Sequence, residues 1–427
     1  MLNRRSFFAA ALAARSLLAE RAGADAPRVA ATLPAFPDDA DPAFWERVRE
    51  QFYITPGEVH FNTAALGAVP RPVLERMIEH MRTLQVTIAH WDFSPGTPYW
   101  ISGYTPELPL REKMSRLVNA DPLEIAITQN ATFGMNFLAK GLDLKAGDEV
   151  VQTDQEHSGG KCGWQMRAKR DGIVWRQVKI PVPATDPDEL VRLFEEALTS
   201  RTRVLAFPHI ISGTGVVMPV KRLTALAHER GCLAIIDGAQ AVGQIEVDLK
   251  SIGCDAYFSS PHKWLLAPAG NGMLYIRRDR QPLFWTTLCS GSWNDQKDGI
   301  FRFMQYGTGN PSLQVGLDAA LDFHFRLGPE RVRKRIRSLA DRLRAGLQQI
   351  PGVKISSPVH PELACAIVVY AVAGVSPQDL EKELWARKRL RTLNADPYGV
   401  RQSCGIYNNE AEIDATLEAV RALARKT

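Results

Sequence analysis

Among its nine histidines and six cysteines the 427-residue chain has no HxxxH and no CxxC. The ligand spacings of a metal site are therefore missing. The cysteines, Cys162, Cys232, Cys254, Cys289, Cys365 and Cys404, are scattered without a framework, and buried free thiols are the expectation for them. A formal charge of only +5, with no dominant basic run, argues against a nucleic-acid partner. The apolar runs are too short for a permanent membrane span. Apolar residues, by contrast, are plentiful at 45%, ample for a large core and for two domains.

The most informative stretch runs from Gly231 to Lys263. After the turn glycine, the apolar residues 233–236 end on a single acid, Asp237, and read as a strand buried on both faces of a parallel sheet. A second short strand, residues 255–259, delivers Ser260, His262 and Lys263. Open α/β sheets bind ligands outside the carboxyl ends of their strands, so the carboxylate and the lysine would face one crevice. A lysine amine whose pKa is lowered by burial can bond to an aldehyde cofactor. An anion such as Asp237 favours the protonated form of a pyridine ring, which is the form that draws electrons. Asp237-Gly-Ala-Gln240 followed by Ser260-Pro-His262-Lys263 resembles the class V aminotransferase family, in its isopenicillin N epimerase-like branch. The resemblance implies an α/β fold, that of the fold type I pyridoxal phosphate (PLP) enzymes. A large domain with a mostly parallel seven-stranded sheet would carry a smaller α+β C-terminal domain. It also implies pyridoxal 5'-phosphate as cofactor, with Lys263 its covalent anchor and proton carrier and Asp237 the anion at its ring nitrogen.

Other motifs follow in the family's order over roughly residues 58–423. A short strand and glycine turn, 60–67, contains Asn62, a substrate-side candidate by resemblance; a plain connecting loop is the other reading. A strand at 124–128 leads to Asn130, a candidate helix cap, and a helix N-terminus is an anion site. By resemblance the Ala131 and Thr132 amides and the Thr132 hydroxyl would hold the cofactor phosphate, together with Ser260 and His262. His157, at the end of a strand at 149–153, would stack on the cofactor ring, and Gln240 would reach its phenolic oxygen. The turn 208–215 (PHIISGTG) is similar to that of the epimerase-like branch, where cysteine desulfurases have an asparagine-containing version. Thr308 lies in a Gly-Thr-Gly-Asn segment similar to one that, in family dimers, crosses to the neighbouring subunit's phosphate, so the resemblance predicts a C2 homodimer. Arg401, in an R-x-S segment, would grip a substrate carboxylate, a task suited to a planar guanidinium.

At the N-terminus, Arg4-Arg5-Ser6-Phe7-Phe8, an Ala/Leu-rich run and Ala22-Gly23-Ala24 have the layout of a twin-arginine export signal over residues 1–24. This predicts a periplasmic protein exported in the folded state, with a cytoplasmic one as the alternative. Residues 25–65 read as a surface lead-in, 66–310 as the large cofactor domain and 311–427 as a linker helix and small domain. The aromatic stretch 86–106 reads as a loop: a substrate wall, a dimer contact or local packing. The segment 387–398 has no cysteine, which argues against desulfurase chemistry. The expected activity is at the Cα of an amino acid or an amino-bearing metabolite, as an aminotransferase or epimerase. A C–S or β-lyase is the alternative, and a non-catalytic PLP-binding protein is a further one.

Overall fold

The computed structural model describes residues 43–91 and 105–425. The export signal at 1–24 and most of the aromatic stretch, 92–104, lie outside the described residues. The chain enters through a short helix, Phe44–Arg49, and a two-residue strand β1 (Val59–His60). Seven strands then build the main sheet: β2 (Ile125–Thr128), β3 (Glu149–Thr153), β4 (Val174–Val178), β5 (Thr202–Pro208), β6 (Leu233–Asp237), β7 (Ala256–Ser259) and β8 (Gly272–Ile276). Their spatial order is β2-β8-β7-β6-β5-β3-β4. Only β8 runs against the others, pairing antiparallel with both β2 and β7. The mostly parallel seven-stranded sheet is thus present.

The strands are short apolar runs because both faces are covered. Ala234, Ile235 and Ile236 of β6 are almost wholly buried, and each isoleucine side chain contributes about 1.5–3 kcal/mol on leaving water. The order also puts the carboxyl ends of β2, β3, β5, β6 and β7 on one edge. Every sequence candidate from Ala131 to Lys263 follows one of these ends.

Beyond β8 the expected amphipathic stretch is two helices, Pro311–Leu327 and Pro329–Gln348. They part at Gly328, whose φ of 85° no helix interior allows. The first packs on helix Arg71–Val86 of the large domain; the second packs on helix Glu410–Ala424. The small domain holds an antiparallel sheet in the order β12-β13-β10-β9, made of β9 (Val353–Ile355), β10 (Ile367–Val372), β12 (Leu393–Asn394) and β13 (Val400–Ser403).

The lead-in departs from the surface reading. Strand β1 pairs in parallel with β11 (Leu390–Arg391), and Asn62 bridges to Ser403. Phe44, Val48, Phe52 and Phe61 are buried, and Arg49 pairs with Glu412 at 2.6 Å. The Pro- and Asp-rich part of the lead-in, up to residue 42, lies outside the described residues. Within the described part Phe52 packs on the rings of Phe323 and Tyr407, and the Phe61 amide donates to Arg391 O. Cys232, Cys254, Cys365 and Cys404 are buried as expected, but Cys162 and Cys289 are exposed. No helix of the described residues is long and apolar enough to cross a membrane.

Candidate active site

The turns at the carboxyl edge assemble one crevice. After β2, the Asn130 side chain caps helix Ala131–Gly141 by accepting from the Phe133 amide at 3.1 Å. The Ala131 amide, free at a helix start, donates to Ser260 Oγ at 3.0 Å. A methyl group on Gly159 would lie 2.8 Å from Thr132 Oγ1, which brings the β2 and β3 turns together. His157 caps helix Ser158–Asp171; its Nδ1 accepts from the Gly159 amide at 3.1 Å, which leaves its proton on Nε2.

Asp237 ends β6 with Oδ1 held by the Ala239 amide at 2.9 Å. Burial pushes its pKa up, while that hydrogen bond and the charges of Lys263 and His157 pull against the shift. Lys263 is 9% exposed. Burial, aided by the Arg401 charge and opposed by Asp237, brings its amine down to about 8. Burial and the Lys263 charge also lower His157 and take His262 to about 4, so both rings are neutral at pH 7. His262 Nδ1 is buried with no hydrogen-bond partner.

A second cluster joins three distant segments. Arg401 on β13 donates through Nη1 to Ser212 O at 3.0 Å and Ser212 Oγ at 2.8 Å, and through Nη2 to Asn62 Oδ1 at 3.1 Å. Gln240 Nε2 donates to Ala64 O at 2.8 Å and Ser212 Oγ at 3.0 Å, and Trp264 Nε1 donates to Gln240 Oε1 at 2.8 Å. Burial lowers Arg401 to about 10, still a cation at pH 7, and its Nε has no partner.

The structure therefore brings Asp237, His157 and Arg401 into the electrostatic reach of Lys263, with Asn62 bonded directly to Arg401 and Gln240 joined to it through Ser212. Ala131, Thr132, Ser260 and His262 line the same edge. Thr308 stands apart, exposed and with no hydrogen bond among the described residues. Sequence reasoning did not single out Ser212, Trp264 or Glu156. Ser212 and Glu156 sit inside motifs that were read, but Arg401 and Gln240, which meet at Ser212, and Asp237, which faces Glu156, come from other segments. No metal-binding group of three or more His, Cys, Asp or Glu occurs among the described residues.

A crevice at this edge, with a buried lysine one strand from a buried acid, is the arrangement of a fold type I PLP enzyme. Residues 108–416 match the family model for aminotransferase class V, and the chain belongs to that family. Isopenicillin N epimerases from Amycolatopsis lactamdurans and Streptomyces clavuligerus are each 32% identical to it, over 89% of this chain and 99% and 98% of theirs. A probable cysteine desulfurase from Methanothermobacter thermautotrophicus is 28% identical over 79% of this chain and 84% of its own. Among solved structures, a C-DES mutant with glycine covalently linked to its PLP cofactor superposes with a TM-score of 0.76. It is 26% identical and covers 87% of this chain and 98% of its own. The protein is thus a PLP-dependent class V enzyme.

The residues present fit that cofactor. A helix start beside Ser260 and a neutral His262 with an unpartnered ring nitrogen suit a phosphate. Lys263, drawn toward neutrality, suits an aldehyde, and Asp237 Oδ2 is available to a ring nitrogen because its neighbour Gly160 carries no side chain.

Proposed function

We propose that this enzyme acts at the Cα of an amino acid or an amino-bearing metabolite, in the manner of an aminotransferase or epimerase. The observation that carries the reading is the pairing of a buried lysine near neutrality with a buried guanidinium anchored by Asn62 and Ser212. When bound, PLP supplies the electron sink that lets a Cα–H bond ionise. Arg401 binds and orients the substrate carboxylate, and its three hydrogen bonds to Ser212 and Asn62 hold the planar fork in register. Lys263 Nζ takes the Cα proton, a role for which an amine near pH 8 is suited. His157 would stack on the ring, and Asp237 would hold a negative charge at its nitrogen. Return of the proton to Cα from the opposite face would give epimerisation, and its delivery elsewhere transamination.

The test is incubation of an amino-acid panel in deuterated water followed by mass spectrometry, with Lys263→Ala as control. Deuterium at Cα of one substrate class, absent in the control, supports the reading; its absence from every amino acid would sink the claim for free amino acids. A β-lyase is the second reading, favoured by the likeness to C-DES, which a second structure describes as a cystine C–S lyase. Release of pyruvate or sulfide would select it. Desulfurase chemistry is disfavoured: residues 387–398 hold no cysteine, and burial pushes nearby Cys404 up to about 12, far from a reactive thiolate.

The proposal extends to location and assembly. Arg4-Arg5 and the following apolar run support periplasmic export by the twin-arginine route, with a cytoplasmic enzyme as the alternative. Cell fractionation of wild type and an Arg4→Lys/Arg5→Lys variant decides between them. An exposed Thr308 in its Gly-Thr-x-Asn segment suits a homodimer in which it reaches the partner's phosphate site. Light scattering, and PLP retention in Thr308→Ala, test that.

A further inference from the structure

Glu156, one residue before His157, is a buried acid that the chemistry above does not use. Its Oε1 accepts from the Thr153 amide at 3.1 Å and from Thr153 Oγ1 at 2.8 Å. Its Oε2 faces the gap left by Gly160: a methyl group there would lie 3.6 Å from Glu156 Oε2 and 2.9 Å from Asp237 Oδ2. Two buried carboxyl groups therefore share one glycine-sized space. Among the described residues Glu156 makes no ion pair; Lys161 acts on it only through its field. Two buried carboxylates that face one such gap disfavour each other's ionisation, and the Lys263 charge lies on the Asp237 side.

We propose that Glu156 is a positioning residue that stands as the neutral acid beside Asp237, leaving Asp237 the single buried anion of the crevice. This rests on the reading of the crevice as the PLP site. The hydrogen-bond pattern says which oxygen carries the proton. Oε1 already receives two donors, so the O–H is on Oε2, where it points into the gap toward Asp237. A neutral donor there stabilises the Asp237 anion, which in turn favours a protonated ring nitrogen on the cofactor. Burial, opposed by the Thr153 hydrogen bonds and reinforced by the Asp237 charge, takes Glu156 to about 8, in keeping with this geometry. The other titratable neighbours are Lys161 beside Glu156 and Lys263 and His157 beside Asp237; burial and Lys263 lower His157, which is neutral as well. The pair works as one unit, with a single proton between two acids.

Infrared difference spectroscopy of the holoenzyme at pH 7 tests the assignment. Wild type minus Glu156→Gln is expected to show the carbonyl stretch of a protonated carboxyl group. Glu107, a further carboxyl raised by burial, to about 7, is common to both proteins and cancels. The absence of that band, or its presence only in wild type minus Asp237→Asn, would overturn the proposal. If Glu156→Gln does not fold, ¹³C-glutamate labelling of a Glu107→Gln protein reads the same band: a shift on labelling supports Glu156, and an unshifted band assigns the proton to Asp237. A neutral isostere should also leave PLP affinity within about threefold of wild type, whereas Asp237→Asn weakens it at least about tenfold, the equivalent of one pKa unit. A tenfold loss in folded Glu156→Gln counts against the neutral acid. The site reading itself is judged separately, by whether the visible absorbance of lysine-bound cofactor disappears in Lys263→Ala.

Discussion

The two ends of the main sheet handle buried charge in opposite ways. At the amino end, Glu149 opens β3 only 1% exposed and meets Arg176 at 3.2 Å, Arg201 at 2.9 Å and the Thr199 hydroxyl at 2.7 Å. Burial alone would raise its pKa, but these partners reverse the effect and the carboxyl ends below its usual range. Asp255, just before β7 and wholly buried, is served by Arg277 at 3.0 Å, Arg280 at 2.9 Å, His228 at 2.8 Å and the Ala234 amide. At the carboxyl end the acids Asp237 and Glu156 are raised and Lys263 is lowered, while His262 and Arg401 keep unpartnered nitrogens. One end closes its charges on each other; the other leaves them turned toward a ligand. Perturbed ionisable groups point to function when they gather at one place, and Asp237, Glu156, Lys263 and His262 gather where a parallel sheet offers its strand ends.

Substitutions at the two ends should separate activity from stability. Lys263→Ala should lower turnover roughly 100- to 10,000-fold while leaving the melting temperature unchanged or higher, because a desolvated cation is removed. Calorimetry beside the deuterium assay reads both. Asp255→Asn should do the reverse. It strands two arginines and costs about 3 kcal/mol, near the low end for a broken buried pair because Arg277 and Arg280 are part-exposed. Activity per folded molecule should not move, and a large loss of kcat in soluble Asp255→Asn would break the division between the ends.

Arg401→Lys keeps the charge and loses the fork. The KM for a carboxylate substrate should rise roughly 10- to 100-fold, with kcat changing less; an equal fall in both would mean that the arginine acts on the reaction and not on binding. The smallest effect is on pH dependence. Only the neutral amine attacks an aldehyde, so PLP loading of the apoenzyme should speed up about tenfold per pH unit below about 8 and level off above it. The native state binds fewer protons than the unfolded one between about 8 and the ordinary lysine value of 10.5. The Lys263 contribution to apoprotein stability therefore grows with pH across that window and is at its least below it. Lys263→Ala should erase that slope in denaturant titrations.

Much of this was legible in the chain. Apolar runs ending in Asp237, His157 or Ser260 signalled strands of a parallel sheet and the edge where a ligand sits. The resemblance carried by Asp237-Gly-Ala-Gln240 and Ser260-Pro-His262-Lys263 implied the cofactor. Glu156 was not legible, because its charge state depends on Asp237, which reaches it across Gly160 from another strand. Ser212 was hidden for a like reason, since its hydroxyl matters only as the place where Arg401 and Gln240 meet. The pairing of residues 59 and 60 was not legible, because local composition cannot announce a partner more than 300 residues away.

That pairing orders events during synthesis. Residues 59 and 60 leave the ribosome early, but the strand they join, Leu390–Arg391, is made near the end, and so are Arg401 and Glu412. At ordinary translation speeds the delay is on the order of tens of seconds. Until it ends, Asn62 has no guanidinium to hold and the crevice lacks one wall. The grip proposed for a substrate carboxylate therefore belongs to the finished chain. A transport route that threads nascent, unfolded chains would begin before the clasp could close, whereas one that moves finished proteins would find it already shut.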